Sequence, residues 1–209
     1  MARTLPWSFY ARDTELVARE LLGAVLECTV RGVRCAGRIV ETEAYIGEHD
    51  PACHAAIGYT PRTAGLWGPP GSAYVYLIHG MYWCAHAVTR PRGFASAVLL
   101  RAIDPLDGLA AMRRRRGAPE RATDLTSGPG RLCQALGVNG PAHHGGSFLR
   151  GPLRITAGEH VPDAHVAVTP RIGINPANAA VDWPLRWIER ENPFVSARAQ
   201  TKRFLTNLR

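Results

Sequence analysis

Four side chains in the first third of the chain could do chemistry: Glu41, Glu43 and Tyr45, each two residues apart, and His54 nine residues further on. They end and follow the apolar, β-branched run Arg38-Ile39-Val40. On a strand, residues two apart share a face, so the two carboxylates and the phenol would line one side, with Val40, Thr42 and Ala44 on the other. A carboxylate can take a proton from water or steady a positive charge, and a phenol can donate a hydrogen bond or present a flat ring. Such a face is no hydrophobic core, and it points to a polar or reactive site.

A second group surrounds His79-Gly80, where Tyr74, Tyr76, Tyr82 and Trp83 crowd two strand-like runs. Aromatic strands are most often core, and Tyr74 and Trp83 are read that way. A β-ribbon with a planar side chain at its tip, in a basic protein, also has the shape to enter a DNA groove and wedge between base steps. Rings beside a carboxylate suit a pocket for a flipped, planar base. Ser127-Gly128-Pro129-Gly130-Arg131 reads as a weak anion site: glycines permit close approach, a helix start offers free N–H groups, and Arg131 adds charge.

The chain has 209 residues, which suits one domain, and a net charge of +8 that favours a polyanionic partner over none. From charge alone, nucleic acid and a merely basic surface stand level. Of the 25 lysines and arginines only Lys202 is a lysine, so a P-loop lysine and a central Schiff-base lysine are both missing. Five cysteines without a C-x-x-C pair fit reduced, buried thiols in a cytoplasmic protein, associated with the nucleoid if bacterial, and argue against structural zinc. His49, His143, His144, His160 and His165 read as surface or loop residues, and no metal is expected. The start of the chain lacks the apolar core of a signal peptide, and no run is long enough for a membrane span.

The elements that must position these residues follow from pattern and punctuation. Asp13 or Thr14 caps a helix to about Leu22, and strands 24–30 and 33–45 join at Arg31-Gly32. Residues 47–71 form a long ordered loop, followed by a hairpin of strands 73–78 and 81–89 and a strand over 95–103. Asp104-Pro105 predicts a helix start, with the helix closing at Arg113–Arg116. A short helix spans 131–136, a polar loop 137–147, and one or two strands lie within 155–168. Trp183, Trp187 and Phe194 in the tail pack back on the body. The expectation is a single α+β domain over 1–209 with a mainly antiparallel curved sheet, flanking helices and a protruding β-hairpin.

The segments R-I-V-E-T-E-A-Y-I-G (38–47), A-x-H (52–54), T-P-R (60–62), Y-V-Y-L-I-x-G-M-Y (74–82), V-L-L-R-A (98–102), P-L-x-G-L (105–109) and S-G-P-x-R-L-C-Q-A-L (127–136) closely resemble the alkyladenine (3-methylpurine) DNA glycosylase family. The matches run in one order with near-constant spacing. The resemblance implies a formyltransferase C-terminal-domain-like fold and a monomeric, monofunctional base-excision repair enzyme without cofactor or metal. It would flip damaged purines from double-stranded DNA and hydrolyse the N-glycosidic bond. The absence of an internal lysine agrees, leaving only the Met1 amine to form an imine.

By position, the resemblance makes Glu43 the general base that aims a water at C1′. Arg101 becomes the anchor of the extruded nucleotide's phosphate. Tyr45, His54 and Tyr76 become pocket walls, with Leu99 beside them, and Ile172 a position whose backbone carbonyl helps hold the water. It implies DNA-backbone contacts for Thr60, Arg62, Met81, Tyr82, Arg116 and Arg131. Glu41 is read as a solvated or salt-bridged neighbour.

Two departures stand out. His79 sits at the hairpin tip where the family commonly has tyrosine, which predicts weaker lesion capture that rises at lower pH. His86 replaces the family's usual asparagine at the pocket edge, which puts selectivity against guanine lesions in question. A strict two-residue turn at His79-Gly80 would put His86 on the face opposite Tyr76, so a shared pocket predicts an irregular hairpin. The competing readings are a catalytically inactive module that binds damaged DNA, and the same fold used for RNA binding, against which the aromatic pocket residues and the wedge position argue.

Overall fold

The structure, a computed structural model, describes residues 3–206. The Met1 amine lies outside the described residues. Helices α1 (Trp7–Tyr10) and α2 (Thr14–Glu20) lead into strands β1 (Val25–Val30) and β2 (Val33–Tyr45). The Asp13 carboxylate accepts from the Glu15 N–H and caps α2 as the sequence predicts. The β1–β2 hairpin turns at Arg31-Gly32, both at positive φ, as a two-residue turn requires. Residues 46–72 follow as an ordered loop holding two 3₁₀ turns, His54–Ile57 and Ala64–Trp67.

Strands β3 (Ala73–Ile78), β4 (Tyr82–Val88) and β5 (Ala97–Asp107) then run antiparallel, and α3 (Leu109–Arg115) follows. The predicted helix start at Asp104-Pro105 is incorrect. β5 continues through both residues, Pro105 pairing with Gly37 where the register is irregular, and the chain leaves the sheet at Gly108 with φ of 76°. A proline is tolerated at such an irregularity because no ladder N–H is needed there. Helices α4 (Pro129–Leu136) and α5 (Gly140–His143), strands β6 (Leu153–Thr156), β7 (Val166–Thr169) and β8 (Arg186–Glu189), and α6 (Arg198–Thr206) complete the described chain.

The eight strands form one open, curved antiparallel sheet in the order β3-β4-β5-β2-β1-β6, with β7 paired to β8 and β8 to β2. β8 is a strand the sequence pattern did not predict. It takes over from β1 along the edge of β2, pairing with Glu41, Thr42 and Glu43. α2 and α4 cover one face: Val17, Ala18, Leu21, Leu132, Cys133 and Leu136 pack with Ile39, Ala44, Val98 and Leu100 in the main core. Thr42 donates to the Ala18 carbonyl, tying β2 to α2 on that buried side. With α2 and α4 on this face, the opposite face of β2, β4 and β5 is left for the site, which α6 borders through Thr201.

Candidate active site

Register lays three of the expected site residues, His86, Leu99 and Glu43, in one row with Tyr74 and Arg186. Tyr74 on β3 stands opposite His86 on β4, His86 opposite Leu99 on β5, Leu99 opposite Glu43 on β2, and Glu43 opposite Arg186 on β8. Directly paired antiparallel residues project to the same face, so five residues from five strands share one surface. The predicted hairpin irregularity is present: Ile78 pairs with Tyr82, leaving His79, Gly80 and Met81 as a three-residue turn. That odd count keeps Tyr74, Tyr76, Cys84 and His86 on one side.

Beyond the irregularity at Gly37, the register between β2 and β5 slips twice more. Ile39 pairs with Ile103, Glu41 with Ala102 and Thr42 with Leu100, so Val40 and then Arg101 are extra residues on opposite strands. The bulge at Arg101 re-aims its side chain. Its Nε donates to Glu41 Oε1 at 2.9 Å, its Nη1 to Glu43 Oε2 at 3.2 Å, and its Nη2 to Ser196 Oγ at 3.2 Å. Burial opposes the charge on Arg101, but the two carboxylates outweigh it and raise its pKa.

Glu43 is fully buried. Its Oε2 also accepts from the Tyr45 hydroxyl at 3.0 Å, and its Oε1 from the Ile172 N–H at 2.6 Å. A carboxylate offers about four lone-pair sites, so three donors leave one open, on Oε1. Burial pushes the Tyr45 phenol well above its ordinary pKa, with the Glu43 charge adding to the rise, which keeps Tyr45 a donor.

Glu41 is not solvated. It is fully buried and accepts from Arg101, from Arg186 Nε at 2.7 Å, and from the Ser196 N–H and hydroxyl at 2.7 and 2.9 Å. Burial raises its pKa, but Arg101 and Arg186 together lower it further, so the net shift is downward. The salt-bridged half of the sequence reading is therefore the correct one. A second buried pair, Arg171–Asp50, joins the 46–54 segment to the residue before Ile172. Arg171 also donates to the Ala44 carbonyl and lies 4.7 Å from the centre of the Tyr45 ring.

Beside this charged row lies a cavity of about 170 Å³ lined by Tyr45, His54, Tyr74, Tyr76, His86 and Leu99, with Cys53, Cys84, Gly173 and Ile174 among the remaining walls. The ring centres of His54 and Tyr76 are 4.2 Å apart. Burial lowers the His54 pKa, with Arg62 adding to the shift. His86 Nδ1 donates to the Tyr74 carbonyl at 3.2 Å, and burial brings its pKa down to about 3. Since a carbonyl only accepts, the proton of neutral His86 sits on Nδ1. Tyr74 is buried as core, and it also borders the cavity.

The expected DNA-contact residues lie outside the cavity. Arg62 donates to the Tyr76 hydroxyl at 2.6 Å, and Thr60 lies one turn away, bonded to Thr63. His79, at φ of 51°, tops the hairpin with Met81 and Tyr82 exposed beside it, at 67% and 51%. Arg131 pairs with Asp124, and Arg116 holds Gln134 and the carbonyls of Asp124 and Leu125. His143, expected at the surface, is instead buried, its Nε2 3.5 Å from Cys28 Sγ, because the 137–147 segment folds as α5 against β3. Asp50, Arg171, Arg186 and Ser196 carried no signal in the sequence: each matters only through partners more than a hundred residues away or on another strand.

Among the described residues no group of three or more His, Cys, Asp or Glu is placed to hold a metal, and no helix is long and apolar enough to cross a membrane.

Comparison with known proteins gives one answer. A "Putative 3-methyladenine DNA glycosylase" of Myxococcus xanthus is 48% identical over 192 residues, covering 92% of this chain and 93% of its own. Proteins with the same description from Salinibacter ruber and Methanocella arvoryzae are 45% and 42% identical, covering 92% and 93% of this chain and 96% of their own. The family model for methylpurine-DNA glycosylase matches residues 8–193, nearly the whole described chain, and the protein belongs to that family.

Proposed function

We propose that this protein is a monofunctional DNA glycosylase, acting as a monomer in the cytoplasm on double-stranded DNA, that removes alkylated or deaminated purines flipped into the aromatic cavity. One observation carries the reading: a buried, ion-paired carboxylate, Glu43, stands in register with the residues of an aromatic cavity. In the reaction the C1′–N bond breaks with its electron pair leaving on the base, while water oxygen bonds C1′. The open lone pair of Glu43 Oε1 takes the water proton. As positive charge develops on the sugar, the fixed carboxylate also stabilises it, at no reorganisation cost.

Arg101 has two duties in this scheme. It aims Glu43 through the contact between its Nη1 and Oε2, and its bulge brings a cation to where the phosphate of an extruded nucleotide would lie. The rings of Tyr45, His54 and Tyr76 favour flat, cationic bases, because positive charge over a ring face is attractive. Neutral His86 with its proton on Nδ1 leaves Nε2 as an acceptor, which favours a base presenting an exocyclic amine. The exposed tip of His79, Met81 and Tyr82 supplies the wedge, while Thr60, Arg62, Arg116 and Arg131 meet the backbone without reading sequence. The rival reading, an inactive module that binds damaged DNA, leaves a threefold hydrogen-bonded buried carboxylate without a purpose.

The test uses duplex oligonucleotides carrying 3-methyladenine, 7-methylguanine, ethenoadenine or hypoxanthine, offered to the wild type and to Glu43→Gln. Base release by the wild type alone is expected. Release from none of them, or equal release by both proteins, overturns the reading.

A further inference from the structure

The family match ends at residue 193, yet the next segment reaches the charged row. Ser196 is buried between Glu41 and Arg101. Its hydroxyl proton goes to Glu41 Oε1, so the lone pair of the same oxygen is what receives Arg101 Nη2. A hydroxyl has one proton, and this assignment leaves Arg101 a single satisfied orientation. In that orientation Nη1 points at Glu43. The segment is itself pinned: Val195 packs with Val40, Ala102 and Ile188, and Arg186 bonds the Ser196 carbonyl and the Thr201 hydroxyl.

We propose that Ser196 is a positioning residue for the Arg101–Glu43 couple, and that residues 194–206 form a clasp completing the catalytic centre. The clasp acts through Glu41. With Ser196 it balances Arg101 between two carboxylates, so the cation steadies Glu43 without collapsing onto Glu41. Glu43 is faced by Tyr45 and, through Arg101, Glu41 on β2, by Arg101 on β5, by Cys84 on β4, and by Arg171 ahead of Ile172. Arg186 on β8 faces Glu41. Removing the Ser196 hydroxyl leaves each of these groups in place and takes a hydrogen-bond partner only from Arg101 and Glu41. The proposal rests on Glu43 acting as the base.

The experiment compares Ser196→Ala and Ser196→Thr with the wild type in single-turnover base release and in thermal melting. Loss of the hydroxyl leaves a buried Arg101 donor unpaired, so release by Ser196→Ala slows by roughly tenfold, with a modest fall in melting temperature. Ser196→Thr keeps the hydroxyl and releases base at the wild-type rate. An unchanged rate in Ser196→Ala, or an equal loss in a folded Ser196→Thr, overturns the proposal. Ser196→Gly keeps the backbone donor to Glu41 and gives the same readout if the alanine variant folds poorly. Activity surviving in Glu43→Gln overturns the function itself, whereas a dead Glu43→Gln beside an unaffected Ser196→Ala overturns the clasp alone.

Discussion

The charged row and the hairpin tip are built on opposite principles. In the row, Glu41, Glu43, Arg101 and Arg186 form a buried set of two negative and two positive charges, and Asp50–Arg171 adds a second balanced pair. At the tip, His79, Gly80, Met81 and Tyr82 are exposed, and the space around the Gly80 Cα is open. A buried polar network holds one geometry because any misplaced member strands a charge. An exposed apolar tip gains nothing from the folded monomer, so its stabilisation must come from a partner. On the function proposed above, the row is set for a reaction before DNA arrives, whereas the tip waits for the DNA.

If that contrast is right, damage to the row costs chemistry or folding, and damage to the tip costs binding alone. The largest effect is expected for Glu43→Gln. Base release should fall by about 10²–10⁴-fold, the usual worth of a positioned general base, with abasic-duplex affinity unchanged. A parallel loss of affinity would mean that Glu43, and not Arg101 alone, takes part in holding DNA.

Next comes the structural pair. Arg171→Met strands the Asp50 charge and should cost about 3–5 kcal/mol of stability in denaturant unfolding. Adding Asp50→Asn, which removes the charge and keeps an acceptor for the Ile46 and Ala52 N–H groups, should restore part of that loss. It should not restore activity, because the Arg171 contact that sets Ile172 against Glu43 stays missing. Recovery of both would show that Ile172 needs no such brace.

A smaller effect is expected from pH. The His86 pKa falls from its ordinary 6.5 to about 3 on folding, so the unfolded chain takes up a proton the folded one refuses. Stability from this group is whole above pH 6.5 and is lost as pH falls from there toward 3, by at most about 1.4 kcal/mol per pH unit. His86→Asn should flatten the wild-type slope between pH 6.5 and 4.5, measured by denaturant midpoints. An identical slope in both proteins would mean that His86 is not buried as a neutral ring.

The smallest effect belongs to the tip. His79→Ala should weaken binding to an abasic duplex by about tenfold or less and leave the melting temperature alone. A lowered melting temperature would bring the tip back into the folded body and break the contrast.

Much of this was legible beforehand for local reasons. The caps, the Arg31-Gly32 turn, the alternation along β2 and the glycine stop after α4 involve neighbouring residues, and the same short-range chemistry decides them in any context. β8 was missed because Arg186-Trp187-Ile188-Glu189 is short and its charged ends are buried only through Glu41 and Arg38. The early end given to β5 had a similar cause. Asp104-Pro105 is a good helix start locally, but pairing with Gly37 and Arg38 overrode it.

The sequence by itself determined which residue types were present: two carboxylates and a phenol on one strand face, aromatic rings on a neighbouring hairpin, and arginine in place of lysine nearly everywhere. Those are properties of chain chemistry and period; the resemblance to the family rested on the ordered motif segments. Only the tertiary structure decided which carboxylate kept an open lone pair. The bulge that swings Arg101 between Glu41 and Glu43, the three-residue turn that brings His86 beside Tyr76, and the closure of Ser196 over Glu41 are matters of register and long-range burial. A one-residue slip reverses a side chain's face, and no local pattern records where the slip falls.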